Sequence, residues 1–462
     1  MRSQSVRASK CGPSERRPRI NARSICLCRV FGDPSLERGF LPVEDPVRRL
    51  AGPEFAAWEA ALDEIPKLAV AAGGGRLRRE LEALPPFPLA RLPAAAAAAE
   101  PRRLRAAAAA WQEGGGGEGG EGDGGGGGGD AQMWRAYSVL SFLSHAYLWC
   151  DGPGTPQRLP AVLARPWVAV SAALAMPPVL VYATYNLLNW RRLDAGGPIA
   201  LGNVACINNF LGGVDEEWFR LVHVSIEAAA GPGLARLGPL QAAAREGDTE
   251  GMLAHLAALH RGLLEMQRLL GRMGEKCDPY VYYHRVRAPM AGWRGNPALP
   301  AGLVYGGVAA APLALHGETG AQSSVVASLD AALGVEHECG WLRDYLTTMR
   351  RHMPPHHRAF IVRLEAANAA AAAQAGPGGA TAAPRTVRGA ATAGPAALRE
   401  AYNEVVGELE AFRKQHRAFA AAYIANFAKR EAGAAAQKGT GGSDFMPALA
   451  GFARTTAAHR LP

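Results

Sequence analysis

What is scarce in this 462-residue sequence excludes several function classes before anything else is read. There are only seven cysteines, at Cys11, Cys26, Cys28, Cys150, Cys206, Cys277 and Cys339, and no Cys-x-x-Cys pair among them. Neither a disulfide framework nor a zinc ribbon fits that scatter, so a reducing, cytoplasmic setting is expected. A G-x-S-x-G elbow and an H-E-x-x-H helix are both missing. β-branched alternation is sparse, which argues against a sheet protein. Acidic residues are nearly absent from positions 1–32, where Glu15 faces eight basic residues: Arg2, Arg7, Lys10, Arg16, Arg17, Arg19, Arg23 and Arg29. This leader therefore carries most of the formal charge of +9, and the body is close to neutral, which speaks against nucleic acid as a partner. An Arg- and Ser-containing leader without an apolar core also fits organelle targeting, the alternative to a cytoplasmic protein.

What is present is apolar side-chain mass, 48% of the residues, enough for a sizeable core. The stretch 167–188 has no charge, but Pro177 and Pro178 divide it and polar residues punctuate it. Two buried helices are expected there, the second starting at the proline pair, and no membrane span. Two low-complexity runs, about 93–131 (poly-Ala, then nearly all Gly) and about 366–397, read as surface insertions with little to pack. The expected organisation is a basic leader (1–35), a small helical domain (36–210) and a larger helical domain (211–462). The fold class is all-α.

Helical periodicity is clearest in two places. Met252, Leu256, Leu259, Leu263, Met266, Leu270 and Met273 keep a three-four rhythm, and so do Tyr402, Val405, Leu409, Phe412, His416, Phe419, Tyr423 and Phe427. His416 thus points where a core residue should. Left without hydrogen bonds, a buried imidazole costs about 1–3 kcal/mol. Two readings meet that need: a core histidine bonded at both nitrogens, or a ligand to haem iron with a second-shell acceptor on its other nitrogen. His352 and His356 are four apart, but the prolines between them spoil a helical metal pair.

Seven strings, taken in order, carry a family resemblance: SFLSHAYLW (141–149), RPWVAVSAALAMPPVLVYATYNLLNW (165–190), GWRGNPALPAGLVYGG (292–307), AQSSVVASLDAALG (321–334), MRRHMPPHHRAF (349–360), LREAYNEVV (398–406) and KGTGGSDFM (438–446). Together they resemble the indoleamine 2,3-dioxygenase family over most of residues 36–460. The resemblance implies an all-helical protein in which a small N-terminal domain packs on a larger one holding haem b. It implies O2 as co-substrate, an electron donor, a monomeric state, and insertion of O2 across the indole C2–C3 bond of L-tryptophan to give N-formylkynurenine.

Residue by residue, the resemblance makes His416 the proximal iron ligand, with Arg413 and Asp330 in the network that supports the haem propionates and Ala321 in the loop over the haem. Arg287 matches the arginine that grips the substrate carboxylate, a task suited to a planar guanidinium. Tyr282, Tyr283, Tyr182, Tyr185 and Phe219 match pocket-lining positions. Thr440 and Gly441 belong to a mobile segment, 439–443, expected to close over the substrate, with Thr440 placed to bond its ammonium. No obligatory acid or base is implied.

Three departures stand out. His223 occupies a position where the family commonly has serine, Tyr185 and Asn186 replace smaller or apolar residues, and Glu318-Thr319-Gly320-Ala321 differs from a small-residue loop. They leave a second function open: a haem-binding sensor or gas-binding protein of the same fold without efficient dioxygenation.

Overall fold

The computed structural model describes residues 30–70, 75–112, 131–152, 154–337, 340–373, 385–430, 439–442 and 444–462. The leader up to residue 29, the glycine run 113–130 and Ser443 lie outside the described residues.

Helices dominate, as expected. The first half supplies α1 (Ala56–Val70), α2 (Pro93–Ala98), α3 (Pro101–Gln112), α4 (Ala131–Trp149) and α5 (Ala161–Ala173). The second supplies α6 (Val214–Ala229), α7 (Leu237–Glu246), α8 (Thr249–Gly271), α9 (Ser324–Leu333), α10 (Gly340–Arg350), α11 (Pro355–Ala373), α12 (Val387–Ala393), α13 (Ala396–Ala420) and α14 (Phe445–Ala458). Among the described residues, strands amount to two pairs, a parallel one joining Arg158–Leu159 to Val304–Tyr305 and an antiparallel one joining Trp190–Arg192 to Val204–Cys206.

The two periodic stripes form the backbone of the second half. Asp248 caps α8, its carboxylate accepting from Gly251 N at 2.9 Å. The α8 stripe is buried from Met252 to Leu270. It lies along α13, whose Tyr402, Val405 and Leu409 are fully enclosed, and α14 covers another side of α13. Buried apolar side chains from Phe31 to Leu461 belong to one connected cluster, so packing runs across the boundary expected near residue 210.

Two expectations change. The alanine runs are not idle insertions: they form α2 and α3, which pack on α5 and bury Ala95, Leu104, Ala108 and Trp111. Alanine has the highest helix propensity, and its small side chain lets helices approach closely. Nor does a second helix start at Pro177-Pro178. The chain there is irregular, and its carbonyls are taken by Tyr137 Oη, 2.6 Å from Pro177 O, and by Tyr305 Oη at Pro178 O. Helical structure resumes only as a π turn at Ala183–Leu187. Among the described residues no helix is long and apolar enough to cross a membrane.

Two further π turns, Tyr282–Val286 and Ala421–Ala425, interrupt the helical pattern. All three carry candidate site residues or directly follow the His416 helix. An extra residue per turn rotates side chains off the regular stripe, a feature often found at functional sites.

Candidate functional site

His416 sits near the C-terminal end of α13 and is half-buried. Burial, and next the proximity of His223 on α6, push its imidazole down to about 4, so it is neutral at physiological pH. Among the described residues neither of its ring nitrogens has a hydrogen-bond partner. The second-shell acceptor expected for one of them is therefore not seen in the protein. His223 is held by a bond from Nδ1 to Phe219 O of 2.7 Å, which leaves Nε2 directed away from its own helix. Burial lowers its pKa as well.

One turn before His416, Arg413 is buried and ion-paired to Asp330 of α9, with Nη2 at 2.6 Å from Oδ2. Its Nη1 donates to the Thr456 hydroxyl of α14, and His337 Nε2 lies 3.1 Å from the same Asp330 oxygen. Burial alone would raise the Asp330 carboxyl, but Arg413 and His337 hold it below its ordinary value. The pair is thus not a surface salt bridge. It ties α13 to α9 and α14 and fixes the register of the helix that carries His416. Ala321 lies half-buried in a 3-10 turn, Gly320–Gln322, just before α9.

An aromatic wall surrounds His223. Phe219 packs at 4.6 Å from the His223 ring and 4.9 Å from Tyr282, Tyr282 meets Tyr423 at 5.6 Å, and Tyr182 meets His223 edge-on at 6.1 Å. Tyr283 instead stacks on Phe427 at 5.3 Å, with Arg287 5.8 Å from its ring centre. Arg287 follows the second π turn, and burial lowers its pKa from the ordinary value. Tyr185 is fully buried, between Phe142, Phe210 and the Arg220 guanidinium, which stands 4.7 Å from its ring centre.

The segment 439–442 is seated on two other loops. Gly292 N donates to Thr440 O at 3.2 Å, the Thr440 hydroxyl donates to Glu318 O at 2.5 Å, and His316 Nδ1 lies 2.5 Å from Gly441 O. The seat demands glycine. A Cβ on Gly317 would come within 2.2 Å of Gly292 N, and one on Gly442, at φ +78°, within 2.1 Å of Arg294 O. With its proton on Glu318 O, the Thr440 hydroxyl keeps lone pairs that can accept from an ammonium.

Sequence reading assigned no role to the acids, although it marked Glu318 as a departure. Glu318 is buried, bonded to Asn186 Nδ2 at 3.1 Å, and burial pushes its carboxyl up to about 8. Glu227 of α6 is buried too, raised by burial to about 7, with the Ser323 hydroxyl donating at 2.7 Å and Tyr182 beside it. A carboxyl in an otherwise glycine-rich loop was the signal available for Glu318. Arg220 gave none, since an arginine next to Phe219 reads as the solvated side of a helix.

His416 and His223 lie near one another, and each has a ring nitrogen without a protein partner among the described residues, a donor set that a haem iron could use. The donor set suits iron, since neutral imidazole is an established haem ligand. In the comparison with known proteins, the family model described as indoleamine 2,3-dioxygenase matches residues 128–459. The chain belongs to the indoleamine 2,3-dioxygenase family. That family comprises haem-dependent oxidoreductases that use O2. Indoleamine 2,3-dioxygenase 1 of Rattus norvegicus is 32% identical over 333 residues, 70% of this chain and 78% of that protein. Indoleamine 2,3-dioxygenase 2 of Mus musculus is 39% identical over 233 residues, 50% of this chain and 57% of that protein, so the match spans little more than half of that relative. A protein named myoglobin from Haliotis madaka is also similar, 31% identical over 319 residues, 68% of this chain and 78% of its own length.

Proposed function

We propose that this indoleamine 2,3-dioxygenase family member is a haem b enzyme that inserts O2 across the C2–C3 bond of L-tryptophan, giving N-formylkynurenine. The observation that carries the reading is the aromatic wall of Phe219, Tyr182 and Tyr282 around His223, with His416 near His223 and Arg287 near Tyr282. His416 would hold the iron, Arg413 and Asp330 would steady the helix and the propionate side, and Ala321 would lie in the loop over the ring. When bound and kept reduced by an electron donor, haem would supply the activation of O2.

The protein's own task is positional. The Arg287 guanidinium can grip the substrate carboxylate through two parallel bonds. Phe219 and the tyrosines hold the flat indole, and such fixing of reactants near one another lowers the entropic part of the barrier. The 439–442 segment, seated by Thr440 and His316, closes the site to water. With Nδ1 donating to Phe219 O, neutral His223 presents Nε2 as an acceptor, suited to the indole N–H. We place the protein in the cytoplasm as a monomer, with domains meeting near residue 210.

One observation favours a second reading. A histidine in the distal wall, together with similarity to a protein named myoglobin, suits a gas-binding or sensing protein of this fold. Turnover separates the two. Purified, haem-supplemented protein, reduced and given O2 with L-tryptophan, is expected to show a Soret band and release N-formylkynurenine. A Soret band without product would replace the dioxygenase reading by the gas-binding one.

A further inference from the structure

Residues 316–318 run beneath the 439–442 segment, and their side chains divide the work between two neighbours. His316 reaches up to Gly441 O, Gly317 has no room for a side chain, and Glu318 turns the other way, to Asn186 of the first π turn. The backbone of Glu318 meanwhile accepts from the Thr440 hydroxyl. The seat of the closing segment therefore delivers a carboxyl into the wall of the pocket.

That carboxyl has unusual company. Tyr182 and Tyr282 of the aromatic wall, and Tyr185 behind it, lie near enough to interact with this carboxyl. Arg220, the cation that acts on it, directs Nη2 elsewhere, to Asn208 O at 2.6 Å, to Asn209 and to Glu216 at 3.6 Å, while its Nε and Nη1 have no hydrogen-bond partner among the described residues. Among the described residues no countercharge stands at bonding distance, and burial pushes Glu318 up to about 8, so it is a neutral acid at pH 7, offering an O–H donor and a carbonyl acceptor. Beside it, Asn186 Oδ1 and Tyr185 Oη are both buried, and among the described residues neither has a hydrogen-bond partner. Both side chains are almost wholly enclosed, at 1% and 0% exposure. Native proteins pair more than nine in ten buried polar groups, so a cluster of unpaired ones at a pocket wall indicates a missing polar partner.

The available atoms are one acid O–H, one phenol O–H, an acid carbonyl and an amide carbonyl. Together they complement a group that both donates and accepts, such as a hydroxyl. The bare benzo edge of tryptophan can do neither and would leave the cluster unsatisfied. Resting on the indole-binding reading above, we propose that Glu318, supported by Asn186, is a specificity-determining residue that favours indole substrates bearing a hydroxyl on the benzo ring over unsubstituted tryptophan. A site built to bond a substrate hydroxyl discriminates strongly against the analogue that lacks it.

The test reads binding instead of turnover. Full-length, haem-supplemented ferric protein is titrated with L-tryptophan and with 5- and 6-hydroxy-L-tryptophan, and dissociation constants are taken from displacement of the Soret band. At least one hydroxylated ligand is expected to bind tenfold or more tightly than tryptophan. Glu318→Ala should bring that ratio to within threefold of one, and Glu318→Gln, which keeps a donor and an acceptor, should retain part of it. Should the alanine variant fold poorly, Asn186→Val is expected to narrow the ratio in the same direction. Equal constants in the wild type, or a ratio that survives Glu318→Ala and Asn186→Val, would overturn this inference alone. A Soret band that none of the three ligands moves would overturn the indole-binding reading and the inference with it.

Discussion

Acids are buried on both sides of the site, and in opposite ways. Beneath His416, Asp330 is enclosed with Arg413 and His337 at bonding distance and stays ionised below its ordinary pKa. Near the aromatic wall, Glu227 and Glu318 have hydroxyl and amide neighbours, no cation at bonding distance among the described residues, and carboxyls raised to about 7 and about 8. The first arrangement fixes a helix, since a paired charge network has one geometry. The second leaves hydrogen-bonding capacity unspent where a ligand would lie. A rigid proximal side and a receptive distal side are what a cofactor-holding enzyme needs.

The largest effect should come from breaking the proximal pair. Asp330→Asn leaves the Arg413 charge buried and unmatched, a change worth about 3–5 kcal/mol in comparable cases. Thermal unfolding of the apoprotein should show a fall in Tm far larger than for Asp33→Asn, whose partner Arg363 is exposed. Equal shifts for the two variants would mean that the brace does not hold α13.

Next comes the substrate clamp. Arg287→Ala removes a charge-assisted bond worth about 1.5–3 kcal/mol. KM for L-tryptophan should therefore rise about 10- to 100-fold, with haem content unchanged. Unchanged tryptophan kinetics would remove Arg287 from the site.

The smallest effect sharpens the contrast through pH. Glu227 keeps its proton up to about pH 7 in the folded protein, whereas in the unfolded chain it releases it near 4.5. Between those values the folded state binds more protons, so stability falls as pH rises through this window. Asp330 has the opposite sign: its lowered pKa gives stability above about pH 4 that is lost as pH falls further. Denaturant unfolding of Glu227→Gln should show a shallower loss of stability from pH 5 to 8 than the wild type. An identical slope would place the proton elsewhere.

Much of the frame could be read from the sequence, because α8 and α13 bury regular stripes, and regular stripes are local information. His416 was legible for the same reason. The proline pair misled because the structure satisfies its carbonyls with Tyr137 and Tyr305, residues far away in sequence. The poly-Ala runs misled because low complexity was taken for lack of packing, while α5 provides a surface that small side chains fit. The receptive half of the site was least legible. Its acids acquire their character from burial beside residues on other elements, and the π turns that aim Asn186 and Tyr282 break the periodicity on which sequence reading depends.

The central claim is that His416 is the iron ligand, and a cavity variant tests it most directly. His416→Gly protein, supplemented with haem, is compared spectroscopically with the wild type before and after addition of free imidazole. The account predicts a wild-type Soret band characteristic of histidine ligation, its loss in the variant, and its return when imidazole fills the place of the missing side chain. A variant whose spectrum matches the wild type without imidazole would contradict the assignment of His416 and the site built around it.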